Sequence, residues 1–526
     1  MQTFKYIREE KKILLYTIPL ILVVSIFTIK AIGLGYSDFA SYYFGSKQLL
    51  LGDYINAYDT ASLNLIISAQ GFKDLFVSYT PFPPFTSVFF APFTLLPIGM
   101  SKILFNIISC ILFLVALYRS VNYFSIPPIY LLLVPLILYT PIRSNLFFGQ
   151  SYLILFFLLL EGYMAYRKGQ LVLSTALWSL AIVFKVFPIL ILFFLLTKKE
   201  YKNIIYLSGA SLVLVGLSVL INGFPVWQFY VFKILPRLNN GELNDSFTFI
   251  FQSAFMLFKN CFIYDAVLNP KAIANSPYLF WISLAVFKAF IFSICVIASL
   301  RKKSDDFVNF SFWIMASILI SPNGSTYSLV VLLIPLMALV RSEISVSYKL
   351  ISAILLLLIC NIPIHYFASL PLLLKFPRLY LLIAFFVAIL IISKIKIDYK
   401  IVVAFVFIFL MMDSARLITR VDHSTYFFAE DKYALLYDYT IKDNKLTSYY
   451  WSVNGGQQEK IDYAAREYSA EELSLKDNQI YCKGKKITDS SDWKKKPMLI
   501  DKKYVLYLSD KNRGVGFYTL RKLRMN

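Results

Sequence analysis

One carboxylate, Asp38, stands in the stretch YSDFASYYFG (36–45) just after the first long apolar run, with aromatic and small residues around it. A carboxylate at the head of a loop, ionised in a partly apolar cleft, is suited to take a proton from a hydroxyl nucleophile. The same residue, or Ser37, could instead cap the helix ASYYFGSKQLL, because Asp and Ser are favoured at that position. Lys185 is the second candidate, alone in the apolar run LWSLAIVFKVFPILILFF. An ammonium there needs an anion, and a lipid-linked phosphate is the anion a membrane enzyme meets. The alternatives are a lysine that snorkels to the interface or one that pairs with a distant acid. Arg143 precedes NLFFGQSY and could meet a phosphate or face lipid headgroups. Gln150 could bond a sugar or cap a backbone group. Asp53 and Asp59 in LLLGDYINAYD read either as a carboxylate pair or as turn and cap residues, and the polar loop around them favours caps.

Other chemistries have no support. The chain has no Ser-His-Asp set, P-loop, Rossmann fingerprint or CxxC pair, so energy for a reaction must arrive in an activated substrate. Two histidines, His365 and His423, argue against a His-built zinc site, and no metal or cofactor is expected. The five cysteines show no paired spacing and suit small apolar positions.

These residues must be positioned by membrane helices. The chain has 526 residues, 58% hydrophobic and only 16% charged, against about a quarter charged in soluble proteins. Its apolar runs reach the ~20 residues needed to cross a ~30 Å hydrocarbon core. The net charge of +21 lies in short basic runs between apolar segments, as cytoplasmic loops require, and not in a nucleic-acid-binding module. The basic start and the missing A-x-A site predict an uncleaved first span, 13–33, with a cytoplasmic N-terminus. Further segments are expected at 99–118, 127–142, 146–165, 203–221, 278–300, 307–321, 326–340, 349–368, 378–393 and 399–412. Basic clusters at both ends of 171–197 predict a hairpin of two short helices with Lys185 and Pro188 near its tip. The proline-rich SYTPFPPFTSVFFAPFTLLP predicts a re-entrant or interfacial helix. The expectation is an all-α polytopic region, 1–415, of about 13 membrane segments, with a first outer loop at 34–98 and a long outer loop at 222–277. After Met412 the composition turns polar and alternating, with turn signals VNGG, KDN and SDKNRG, which predicts a small β-rich extracytoplasmic domain at 420–526.

Several motifs in order resemble glycosyltransferase family 87: DF-x-x-YY, L-x-x-G-x-Y, a Y-x-x-x-PP segment leading to FAPFTLLP, NLFFGQSY, a helix ending in K-x-x-P at Lys185, and SPNGSTYSLVVLLIPLMAL. Together they span roughly residues 36–340. The resemblance implies a GT-C-type integral membrane enzyme that takes a sugar, mannose or another hexose, from a polyprenyl-phosphate donor. It implies an outer-face site, inversion at the anomeric carbon and transfer to a lipid- or glycan-linked acceptor. Asp38 falls at the family's expected base and Lys185 at its K-x-x-P lysine, assigned to the donor phosphate. From the residues themselves, Arg143 is a second donor-phosphate candidate, and Tyr42, Tyr43, Tyr79, Gln150, Asn323 and Tyr327 are candidate substrate contacts. The chain departs from the pattern after the Ser-Pro pair, where Asn323, Gly324, Ser325 and Thr326 replace aromatic or His residues. Membrane lipids are the expected surroundings, in the plasma or inner membrane. Two other classes compete: a transporter or flippase of lipid-linked glycans, which would show repeated halves with broken helices, and a non-catalytic scaffold, which would need neither Asp38 nor Lys185.

Overall fold

A computed structural model describes residues 2–73, 75–242, 246–301, 305–414, 424–427, 434–452, 456–464, 467–468, 473–501 and 503–525. The first part is helical. Its helices begin with α1 (Gln2–Ile32), α2 (Ser37–Leu50), α3 (Tyr54–Tyr58), α4 (Thr60–Ala69), α5 (Phe85–Thr94) and α6 (Ile98–Tyr123). They continue with α7 (Val134–Ile137), α8 (Tyr139–Phe148), α9 (Tyr152–Arg167), α10 (Leu171–Phe184), α11 (Ile191–Thr197) and α12 (Tyr201–Asn222). Later apolar helices are Pro277–Leu300, Asp306–Leu319, Leu333–Arg341, Val346–Asn361, Pro377–Ile392 and Tyr399–Ser414.

Four stretches among the described residues are continuous and apolar enough to cross a bilayer: Lys11–Ile32, Ile98–Tyr123, Tyr201–Asn222 and Pro277–Leu300. The stretch Pro128–Phe148 makes a fifth if its two halves, bent by 61°, count as one span. The remaining apolar helices have 10–17 residues, so the expected count of thirteen crossings is not reached by length. Proline is one cause. Pro135, Pro188 and Pro335 sit in or just beyond 3-10 turns where the apolar runs break, because proline removes a donor and crowds the preceding turn.

Two of the irregular segments match what their sequence predicts. The proline-rich segment forms only the ten-residue α5, too short to span, and its Phe90 stacks on Tyr42 of α2 with ring centroids 4.6 Å apart. The run 171–197 folds back on itself. Arg167 before it and Lys198 after it both pair with Asp306, Lys198 at 2.8 Å. Tyr166 and Glu200 are joined at 3.3 Å. The two ends therefore lie on one face, and Lys185, extended after the last turn of α10, occupies the tip.

The C-terminal part is β-rich and antiparallel. One five-stranded sheet has the order Thr425–Tyr426, Thr519–Arg524, Tyr504–Ser509, Lys494–Ile500, Glu467–Tyr468. A second joins Ala434–Lys442, Lys445–Ser452 and Gly456–Ala464, and a third joins Leu473–Lys476, Gln479–Cys482 and Lys485–Lys486. Both KDN signals are hairpin turns: Asp443 and Asn444 have φ of 52° and 59°, Asp477 and Asn478 of 50° and 63°, the left-handed pair a type I′ turn requires. Val453–Gly455 of the VNGG signal and His423 lie outside the described residues. The β-rich part shares its core with the helical part: Ala61 of α4 is buried among Leu435, Leu436 and Trp451.

Candidate active site

Helix α2 begins in an unusual way. Ser37, its first residue, has a φ of +43°, a conformation that costs a non-glycine residue about 1–3 kcal/mol. Tyr36 ahead of it makes no side-chain cap bond. Asp38 does not cap the helix through its side chain either. Its carboxylate turns across the fold, where Oδ2 accepts a hydrogen bond from Gln150 Nε2 at 2.7 Å. Gln150 is brought there by Gly149, whose φ is +68° and whose place would put a Cβ 2.6 Å from Phe39 Cβ. Only glycine allows the end of α8 to come this close to α2.

The contacts continue inward. The Tyr42 hydroxyl donates to Gln150 Oε1 at 2.9 Å and accepts from Lys185 Nζ at 2.9 Å. A line of four side chains thus runs from carboxylate to ammonium. Around Lys185 the rings of Phe82, Tyr152 and Tyr42 have centroids 4.7, 5.2 and 5.3 Å from Nζ, so the cation is held by aromatic faces and one hydroxyl. Asp38, on the loop side of the first span, has its carboxyl raised above the usual carboxylate range by burial, which outweighs the Gln150 hydrogen bond and the Lys185 charge.

Asp38, Gln150 and Lys185 line one cavity of about 310 Å³, together with Ser41, Phe76, Ser78, Phe82, Tyr152 and Phe251. Its far wall is the loop after Asp306–Leu319, which contributes Asn323, Ser325 and Tyr327. That loop is pinned from three sides. Ser253 Oγ donates to the Pro322 carbonyl at 2.7 Å, Arg378 Nη1 to Thr326 Oγ1 at 2.9 Å, and Asn145 Nδ2 to the Tyr327 carbonyl at 3.0 Å. A Cβ on Gly324 would lie 2.7 Å from the Gln252 carbonyl oxygen, so the motif's glycine sets the approach of the two segments. Asn323 Oδ1 is buried without a hydrogen-bond partner, an acceptor free to receive a donor from a bound molecule.

Some expected residues are not brought in. Arg143 is exposed on α8, its guanidinium 6.0 Å from the Phe147 ring, and it does not line the cavity. Tyr43 turns away, and its hydroxyl donates to the Leu96 carbonyl at 2.8 Å. Tyr79 is buried against Gly45, where an added Cβ would lie 2.0 Å from its ring. Asp53 and Asp59 cap α3 and α4, as the polar loop suggests. Reading the sequence missed Ser41, Ser78, Phe76, Tyr152 and Phe251. Ser41 had a usable signal, since it follows Asp38 by three and shares its helix face; Phe251, in the long loop, had none.

Several helices of membrane-crossing length, together with a cavity that holds one carboxylate and one ammonium, describe a multi-pass membrane protein with a polar site. Residues 79–322 match the model of glycosyltransferase family 87, which supports the chain's membership of that family and bears out the motif resemblance. The family implies membrane glycosyltransferase activity. The match begins after Asp38 and ends before Asn323, so these two sides of the cavity lie outside the matched segment. No curated protein matches the chain.

Proposed function

We propose that the cavity transfers a hexose, mannose by family precedent, from a polyprenyl-phosphate donor to a lipid- or glycan-linked acceptor hydroxyl, by a GT-C-type inverting reaction. The observation that carries this reading is the convergence of Asp38, Gln150 and Lys185 on one cavity, with the buried Tyr42 bridging Gln150 and Lys185 behind it. Asp38 takes the acceptor's hydroxyl proton while the acceptor oxygen bonds to the anomeric carbon from the face opposite the phosphate. The bond from that carbon to the phosphate oxygen breaks, and the electron pair leaves with polyprenyl phosphate. Lys185 stabilises the growing charge on that leaving group, because a fixed cation in a poorly solvated site acts more strongly than one in water. Gln150 and Tyr42 hold the two charged ends in register, and Asn323 and Tyr327 face the sugar. Arg143 is left out of this assignment, since it is exposed and does not line the cavity.

In this reading the N-terminus is cytoplasmic, and the cavity and the β-rich domain face the outside of the plasma or inner membrane, in cell-envelope glycan assembly. The test is turnover of polyprenyl-phosphate mannose with a panel of acceptors by purified protein and by Asp38→Asn. Loss of product with retained donor binding is expected. Undiminished product would remove Asp38 as the base.

A further inference from the structure

The segment carrying Phe76 and Ser78 is cavity wall on one side and docking surface on the other. Phe76 and Ser78 line the cavity, while the Phe76 ring packs on Trp451 and Phe517 of the β-rich domain, with centroids 5.8 and 5.6 Å away. The wall belongs to Asp38's end of the site. Ser41 shares a helix face with Asp38, and its Oγ accepts from the Ser78 backbone N–H at 3.1 Å. Asn64 of α4 holds Val77 at both its N–H and carbonyl, at 2.9 and 2.7 Å. Thr60, which opens α4, donates to the Val515 carbonyl at 2.8 Å. Gly516 has a φ of +76°, and a Cβ there would lie 2.3 Å from the Thr60 nitrogen. Asp59, one residue earlier, receives the Tyr518 hydroxyl and pairs with Lys495 at 2.6 Å. The wall, α4 and the 515–518 loop are thus one bonded unit.

We propose that the C-terminal β-rich domain is a working part of the active site, which through Phe76 sets the wall against which the acceptor lies. This rests on the transfer reading above. Phe76 becomes a specificity-determining residue and Trp451 a positioning residue acting through it. The wall offers an aromatic face and the hydroxyls of Ser41 and Ser78, and the cavity's single cation, Lys185, is engaged among rings at the other end. That chemistry suits a neutral, hydroxyl-rich carbohydrate acceptor over an anionic headgroup.

The test uses the full chain in detergent, with Trp451→Ala, Trp451→Phe and Phe76→Ala. Two readouts are taken: amide hydrogen exchange, and KM for an alkyl mannoside acceptor and for polyprenyl-phosphate mannose separately. Trp451→Ala should speed exchange at 75–80, leave 183–190 unchanged, and raise the acceptor KM by up to about a hundredfold, the cost of a misplacement near 1 Å, without moving the donor KM. Trp451→Phe should restore both. If Trp451→Ala does not fold, Phe76→Ala, which leaves the β core intact, should raise the acceptor KM alone. A folded Trp451→Ala with unchanged exchange at 75–80, or a Phe76→Ala that alters donor and acceptor KM equally, would overturn the proposal. If the wild type turns over no sugar donor, the transfer reading falls, and the exchange readout still decides whether the domain positions the wall.

Discussion

Two carboxylates inside this protein are treated in opposite ways. Asp510, in the β-rich domain, is wholly buried and fully answered: it accepts from Arg237 Nη1 at 2.9 Å, Gly516 N–H at 2.8 Å and Trp493 N–H at 2.7 Å. Asp38 is half-buried, bonded to the neutral Gln150, and linked to the Lys185 ammonium only through two side chains. The first arrangement completes its hydrogen bonds internally and holds two parts of the chain together. The second leaves lone pairs directed at a cavity, at a cost in stability that a bound substrate can offset. Incomplete satisfaction, more than charge or burial alone, separates the site from the scaffold.

The contrast can be broken most sharply at Asp38 itself. Asp38→Asn should lower turnover by about 10²–10⁴-fold, the usual worth of a general base, while the unfolding temperature stays level or rises. A clear fall in stability would make Asp38 a scaffold residue like Asp510. Next, Asp510→Ala should destabilise by about 3–5 kcal/mol, because it leaves Arg237 short of a buried counter-charge; a lowered denaturation midpoint is the measurement. Lys185→Ala should weaken binding of polyprenyl phosphate by about 1.5–3 kcal/mol, the worth of a charged hydrogen bond, seen as a lost thermal stabilisation by that lipid. Equal weakening of acceptor use would argue for a structural lysine.

The smallest effects lie in pH. Burial opposes the charge of Asp265, but hydrogen bonds from Leu268, Asn512, Val267 and Tyr426 outweigh it and hold its carboxyl below the usual range. Its contribution to stability is therefore present above the unfolded value of about 3.9 and is lost as pH falls through the lower folded value. Asp38 runs the other way: its raised carboxyl is more readily protonated in the fold, so acid relieves strain there while removing the base. The acid limb of activity should sit above the ordinary carboxylate range, and Asp38→Asn should abolish that limb in whatever activity remains. A limb unmoved by the substitution would detach it from Asp38.

Part of this was legible in the residues. A lone Asp after the first span, a Gln in GQSY and a Lys before Pro all arrive at one cavity, because each is a polar group in an apolar run with few places to go. The expected residues that lie outside the cavity do so for geometric reasons. Consecutive residues on a helix point about 100° apart, so Tyr42 and Tyr43 could not both face the site. In the extended stretch before Pro81 alternate residues face opposite ways, which puts Phe76 and Ser78 on the cavity and Tyr79 behind it. Arg143 lies on the one exposed edge of an otherwise buried stretch of α8. The expected span count is not reached by helix length where prolines break apolar runs into short pieces. The meeting of α4 with the 515–518 loop had no local signal, since nothing in either stretch names its partner.

That meeting has a consequence for how the protein is made. Thr60 and Val515 are separated by 455 residues yet share a hydrogen bond. Contacts between such distant stretches form late, after the loop between them has closed. The segment after the first span therefore leaves the ribosome early but must wait for almost the whole chain to be synthesised and inserted before it can settle. A nascent or truncated chain would carry Asp38 beside a cavity wall not yet locked in place, so the cavity matures among the last features of the molecule.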